Sequence, residues 1–399
     1  MEDDGKNLQA ADPAAPRPMR IFVIGASVRA AVLALHGTLD APVAADLFAD
    51  CDTAAMAPVT KLGPNYEGAE DALRAAQPDA WFYTGGLENR PALIDRLAAI
   101  APLWGNSGEV LRRVRDPRFL PSALAADGLR HLPIGMGTAG IPSDGSWLRK
   151  PVHSAGGGSI APYRGCDHEL SAARPWYYQQ FLPGVPQSAV FVVAQGEARL
   201  IGVTRQLIGE SWTGARDFWY CGSIGPQRTS FEAWTTWREI GQCLTRRGGL
   251  TGVFGVDAMV RGDEIWPIEI NPRLPASAEI LDAARPRETM RHFLSASREG
   301  RFARDLLISW VGLMPCWGKA IVFAEQPGVM PAGRPVLFEE ATHPEDQLPI
   351  LADLPAPGTP LRAGEPVLTV FAAGNKEIQV RRLLRRRCAE VKRWLSEVK

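Results

Sequence analysis

Apolar and polar positions fall in blocks along the chain, and the period changes from block to block. From Arg20, "RIFVIGASVRAAVLALHG" opens with an unbroken apolar run, crosses a Gly turn and continues at helical spacing. Such a run bounded by turn residues predicts a strand buried on both faces, and the spacing after it predicts a helix. "PVAADLFAD" predicts a second strand carrying Asp46, "EDALRAAQPD" a helix and "AWFYTGG" a strand, and "ALIDRLAAIAPLWGN" repeats helix then strand. Strands and helices alternating across short turns predict a parallel, Rossmann-like α/β domain over residues 19–115.

From residue 116 the texture changes. "WLRKPVHSAGGGSI" reads as a strand running into a glycine loop, and "PWYYQQFLPGVPQSAVFVVAQG" as strand, bend, strand. "EARLIGVTRQLIG" continues an antiparallel sheet, "FEAWTTWREIGQCLTRRG" is a helix, and "GVFGVDAMVRGDEIWPIEINPRLPAS" is a hairpin turning near Gly262. An α+β domain over 116–300 is predicted, with "ARDLLISWVG" as a helix closing it. Residues 301–380 are Pro- and Gly-rich with short apolar runs and predict a small β-rich appendage. Residues 381–399 are basic, with Leu384, Cys388, Val391 and Leu395 at helical spacing. That pattern predicts an amphipathic helix docked by its stripe, its arginines in water; contact with RNA or a membrane is the alternative. Residues 1–18 are acidic and Ala/Pro-rich, without the basic start and apolar core of a secretory signal, and predict a disordered tail. Met19 is an alternative start.

Composition narrows the classes. The 399 residues have room for two or three domains, and 46% hydrophobic with 22% charged residues is ordinary for a globular protein. Lys+Arg and Asp+Glu are both 44, which argues against a general nucleic-acid or acidic-membrane binder. The six cysteines are scattered without a CxxC or a Cys/His cluster, so reduced thiols in a cytoplasmic protein are expected rather than zinc or disulfides. No apolar run approaches the roughly 18 residues of a membrane-spanning helix.

Three stretches carry chemistry. Lys150 ends a strand and is followed by Gly156, Gly157 and Gly158. Glycines let backbone N–H groups approach an anion, and lysine adds a point charge suited to phosphate. The lysine precedes the glycines, so this is not a Walker A loop, and a plain glycine turn with a surface lysine stays open. "QQFLPG" bends an apolar strand and can present main-chain groups to an adenine edge, or simply be a β-bend. In the hairpin, Glu269 and Asn271 are two apart and face the same way, and Asp257 can face Glu269 across the ladder. Buried neighbouring carboxylates repel. A hard divalent cation removes that conflict, and oxygen-only ligands point to Mg2+ shared with substrate phosphates. Arg273 follows directly and can hold a phosphoryl oxygen. A salt-bridged surface hairpin is the alternative.

Lys150 before its glycine loop, the "QQFLPG" bend and "FGVD…IEINPR", in this order, resemble the ATP-grasp superfamily over about residues 20–300. "GASVRAA", "GVPQSAVF", "GVTRQLIG" and the tail "ADLPAPGTPLRAGEPVLTVFAAG" are similar to its predicted ATP-dependent carboligases distantly related to biotin carboxylase. The resemblance implies a pre-ATP-grasp domain followed by an ATP-grasp domain of two α+β lobes. It implies that Lys150 contacts the α/β phosphates and that the loop from Gly156 to Gly158 folds over them. Gln179 would match the hinge acid, and Gln180 and Leu182 would offer main-chain hydrogen bonds to adenine. Asp257, Glu269 and Asn271 would match the ligands of a pair of Mg2+ ions, with Mn2+ as a substitute, and Arg273 the arginine near the transferred phosphoryl. One departure stands out: the family often opens this domain with Asp-Lys, and here Pro117 follows Asp116, so Arg115 or Arg118 would have to substitute.

The implied reaction makes an acyl phosphate from a carboxylate and ATP, releases ADP, and passes the acyl group to an amine. Glutamate–tyramine ligation in methanofuran-type one-carbon cofactor biosynthesis is one such activity. Arg205, Arg216 and Arg29 are candidates to hold the substrate carboxylate, Arg29 because it sits at a strand-to-helix turn. The alternatives are a carboxylase-like enzyme activating bicarbonate, a nucleotide-binding regulator without catalysis, and a dinucleotide oxidoreductase using residues 20–115. Small-molecule partners are expected, with neither nucleic acid nor membrane, and a homodimer is compatible with the sequence.

Overall fold

The structure is a computed structural model that describes residues 18–36, 38–165, 175–304, 315–335, 337 and 348–397. The first layer contains β1 (Arg20–Gly25), α1 (Arg29–His36), β2 (Ala41–Asp46), α2 (Cys51–Met56), β3 (Val59–Lys61), α3 (Ala69–Ala76), β4 (Ala80–Tyr83), α4 (Pro91–Ala98) and α5 (Gly108–Val114). The strands pair in parallel in the order β3-β2-β1-β4. Ile21 and Val23 of β1 pack against Val32 and Leu35, while Phe22 and Ile24 pack on the other face with Leu73 and Leu97. The unbroken apolar run of β1 thus serves two faces at once. β1 is flanked by β2 on one side and β4 on the other, which opens a crevice at the carboxyl ends of β1 and β4. The strand expected at the end of "ALIDRLAAIAPLWGN" reduces to one bridge between Leu103 and Trp81. Pro102 accepts from Trp81 N but has no N–H to extend the ladder.

After α6 (Phe119–Ala125), a small antiparallel sheet is built from β5 (Ile134–Gly135), β6 (Trp147–Pro151), β7 (Ala161–Pro162) and β8 (Trp176–Gln180), in the order β5-β8-β6-β7. The chain then enters a larger sheet with β9 (Val185–Ala194), β10 (Glu197–Ile208), β11 (Tyr220–Gly225), α7 (Phe231–Gly248), β12 (Gly252–Arg261) and β13 (Glu264–Asn271). The "QQFLPG" bend is therefore a crossing from one sheet to the other. α7 is capped by Ser230, whose hydroxyl accepts from Ala233 N at 3.0 Å, and ends at left-handed Gly249. Its Trp237 and Leu244 are fully buried against Phe191 and Phe254 of the larger sheet.

α8 (Ala278–Ala284) and α9 (Glu288–Glu299) follow, then β14 (Cys316–Phe323), β15 (Gly328–Val329), β16 (Leu351–Ala352), β17 (Pro360–Leu361), β18 (Pro366–Gly374) and α10 (Glu377–Glu397). "ARDLLISWVG" lies mostly outside the described residues, as does the tail up to residue 17. The β-rich C-terminal part is integral to the fold. Its strands extend the larger sheet, which runs β13-β12-β9-β10-β11-β14-β18-β16. α10 starts at Glu377, earlier than the sequence pattern placed it, and buries Val380, Leu384, Cys388 and Val391. Its stripe docks on the sheet, as the helical spacing predicted, but Arg387, expected in water with the other arginines, is buried and donates to Phe371 O. No described helix is long and apolar enough to cross a membrane.

Candidate functional site

The two sheets enclose a cavity of about 360 Å³, within the range of small-molecule sites. One end is apolar, lined by Leu132, Leu148, Leu182, Met259 and Ile268. The other end is polar, with Lys150, Asp257, Glu269, Asn271 and Arg273.

Strand alternation brings Lys150 and Gln179 together. β6 and β8 pair Leu148 with Gln179 and Lys150 with Tyr177, so these side chains share a face. Lys150 is 6% exposed and donates to Gln179 Oε1 at 3.1 Å, while Gln179 Nε2 reaches Ile268 O at 3.4 Å. Gln179 thus ties the small sheet to β13. Burial works against the charge on Lys150, but Tyr177, Glu269 and Asp257 outweigh it and hold the ammonium charged. Gln180 donates its N–H to Pro133 O at 3.1 Å, so only its carbonyl is left for a ligand; opposite Pro133 that carbonyl has no N–H to receive. Leu182 lines the apolar end.

Gly156 and Gly157 line the cavity, and Gly158 does not. Gly157 needs to be glycine twice over: its φ is +79°, and a Cβ there would meet Phe218 O at 1.9 Å. Tyr220 N donates to Gly156 O at 3.0 Å, which pins the loop to β11. The loop therefore lies over the cavity, and Phe181 meets Phe218 edge-on beside it at 6.3 Å.

The β12–β13 register places Asp257 opposite Glu269, as the hairpin predicted. Asn271 Nδ2 donates to Asp257 Oδ2 at 3.0 Å, while Asp257 Oδ1 is buried without a hydrogen-bond partner. Burial, then the charge of Glu269, push the Asp257 carboxyl above its usual range, against the hydrogen bond from Asn271. An orphaned carboxylate oxygen beside a second carboxylate and an amide fits a hard cation. Two carboxylates and an amide cannot complete its shell alone, and phosphate oxygens are the natural remaining ligands. These residues thus fit Mg2+.

Arg115, and not Arg118, enters the site. Arg118 stays at the surface on Asp116 at 2.8 Å. Arg115 donates to Glu269 at 2.8 Å, to Asn89 Oδ1 at 2.9 Å and to Ser154 O at 2.9 Å. Burial alone would raise the Glu269 carboxyl, but Arg115 and Lys150 hold it below its usual range. Arg273 donates through Nε to Glu88 Oε1 at 3.2 Å and through its guanidinium to Asn271 Oδ1 at 3.1 Å.

The three arginines expected to hold substrate lie outside this cavity's lining. Arg29 is 2% exposed, its guanidinium forked onto Glu279 and bonded to Asp353 at 3.1 Å. Arg205 alternates with Gln206 along β10; Gln206 lines the cavity, so Arg205 faces away, to Glu377 at 3.1 Å. Arg216 stacks over Trp219 at 5.4 Å. Sequence reasoning missed Glu88 and Asn89, which follow "YTGG" at the carboxyl end of β4. Their place in the crevice beside β1 was the available signal.

Comparison with known proteins bears on the domain and the fold. Residues 138–277 match the ATP-grasp domain. Over 163 residues the chain is 28% identical to a formate-dependent phosphoribosylglycinamide formyltransferase of Paraburkholderia xenovorans (strain LB400), covering 37% of this chain and 38% of that protein. The similarity thus spans little more than a third of the curated relative's length. Among solved structures, the ADP complex of an N5-carboxyaminoimidazole ribonucleotide synthetase superposes with a TM-score of 0.64 at 14% identity, covering 96% of this chain and 98% of that one. An L-amino acid ligase from Bacillus licheniformis superposes with a TM-score of 0.62 at 14% identity, with the same coverage. At these identities the superpositions speak to the fold.

Proposed function

We propose that this chain, a member of the ATP-grasp superfamily, is an ATP-dependent ligase that activates a carboxylate as an acyl phosphate and transfers it to an amine, with release of ADP and phosphate. The observation that carries the reading is the convergence of Lys150, Asp257, Glu269, Asn271 and Arg273 at one end of a cavity whose other end is apolar. The apolar end suits a purine ring, and the Gln180 carbonyl suits its exocyclic amine. Lys150 would bind the α/β phosphates under the loop at Gly156 and Gly157. Asp257, Glu269 and Asn271 would hold Mg2+, which when bound neutralises the phosphates and orients the γ-phosphoryl group. Arg273 would steady the phosphoryl as its charge spreads, and Arg115 would supply the cation that Pro117 removes from the family position. The loop would exclude water from the activated acyl group. In this reading residues 19–115 form the acceptor wall and residues 116–300 the ATP domain.

The superfamily likeness and the L-amino acid ligase fold support carbon–nitrogen ligation as the class. The test is ADP release with Mg2+ and a panel of carboxylates and amines, glutamate with tyramine among them, with hydroxylamine added to trap the acyl phosphate. Carboxylate-dependent hydroxamate with ADP supports the reading. Release of AMP sinks the acyl-phosphate route, ADP release driven by bicarbonate alone favours a carboxylase-like enzyme, and tight ATP binding without turnover favours a regulator.

A further inference from the structure

The Asn271-Pro272-Arg273 turn leaves β13 and is gripped by the N-terminal domain. Asn106 Nδ2 donates to Pro272 O at 3.0 Å, and Tyr83 Oη lies 3.2 Å from the same carbonyl. Gly85 lies flat on the Arg273 guanidinium, where an added Cβ would sit 3.5 Å from it. Glu88 closes the grip. It is 2% exposed, accepts from Arg273 Nε at 3.2 Å, and keeps its second oxygen buried without a partner. The next residue, Asn89, holds Arg115 at 2.9 Å and reaches Ser154 O in the segment leading to the glycine loop at 3.4 Å. One dipeptide of the acceptor-side domain therefore touches both arginines at the phosphate end.

A buried ion pair is poor value as a stabiliser, because desolvation offsets most of its attraction. Its use here is orientation. A free arginine side chain samples many rotamers, and one already held loses less on meeting its target. Glu88 holds Nε and Leu274 O takes Nη1 at 3.3 Å, which leaves Nη2 on Asn271 Oδ1 at 3.1 Å, the side chain whose amide donates to Asp257 of the cavity.

The geometry points to Glu88 as a positioning residue, through which the N-terminal domain aims Arg273 at the transferring phosphoryl group. This rests on the ATP-dependent reading above.

The test uses the full chain, Glu88→Gln, and two probes measured by calorimetry: MgADP alone, and MgADP with aluminium fluoride as a stand-in for the phosphoryl in flight. Glutamine keeps the size and one acceptor oxygen, so the fold is retained. The expected result is MgADP affinity within about threefold of wild type and a loss of at least about tenfold in the extra tightening that fluoride gives, as for removal of a charge-assisted contact. Arg273→Ala should show the same loss, and the double variant should lose no more than either alone. Undiminished tightening in Glu88→Gln, or equal weakening of both probes, overturns the proposal, the second because it marks a purely structural role. Wild type that binds MgADP but is not tightened by fluoride overturns it too. Wild type that fails to bind MgADP in either form sinks the ATP-dependent reading itself, and this inference with it.

Discussion

Arg115→Ala is the most informative single substitution, because it probes a cation that the family pattern places elsewhere. The side chain is 9% exposed and makes three charge-assisted contacts, to Glu269, Asn89 and Ser154. Two effects separate. In the ligand-free protein, Glu269 loses its ion-pair partner. That carboxylate is 32% exposed and still lies near Lys150 and Arg273, so the cost should be modest, about 1–2 kcal/mol. With MgATP present, the proposed role of Arg115 predicts loss of a contact between a cation and phosphate, worth about 1.5–3 kcal/mol, or roughly 10–150-fold in Kd. Arg115→Lys should recover part of the affinity, since lysine keeps the charge without the fork. Calorimetric titration with MgATP reads the second effect, and Tm without ligand reads the first. A Tm that falls while MgATP affinity stays within about twofold would refute the reasoning, and would leave Arg115 as no more than the counterion of Glu269.

Further outcomes follow from the same geometry. Lys150→Met keeps the volume and removes the buried ammonium, and should weaken MgATP binding by roughly tenfold or more in the same titration, with adenosine binding spared. Gly157→Ala places a Cβ against Phe218 O at a left-handed φ, and should cost about 1–3 kcal/mol of stability with a more protease-sensitive loop, read by limited proteolysis and Tm. Asp50 tests pH dependence: burial, then Asp353, Asp52 and Asp46, push its carboxyl up to about 7. The folded chain therefore keeps a proton that the unfolded chain releases near pH 4, and stability should fall as pH rises from about 4 to 7 and then level. Asp50→Asn should leave Tm unchanged near pH 4 and raise it near pH 8, the gain bounded by about 4 kcal/mol; a variant curve parallel to wild type would contradict this.

Local pattern carried much of the fold and the site. β1 and α7 were readable because each keeps one apolar pattern along its length, and the Asp257–Glu269 facing followed from a period of two about a turn at Gly262. What stayed hidden depends on distant pairing. The register of β14 and β18 on β11 turned a supposed appendage into part of the larger sheet. Arg205 and Arg29 looked free only because their partners, Glu377 and Glu279, lie far along the chain. Glu88 had no local mark of a site residue. Its contact with Arg273 emerges once β4 is seen to end beside that residue.

The most direct measurement is a magnesium titration of ATP binding in wild type and Glu269→Gln. The account predicts ATP affinity that rises steeply with Mg2+ in wild type and at least about tenfold weaker metal-dependent binding in the variant, since a charged ligand becomes neutral. Metal-dependent ATP binding that is the same in both proteins would contradict it.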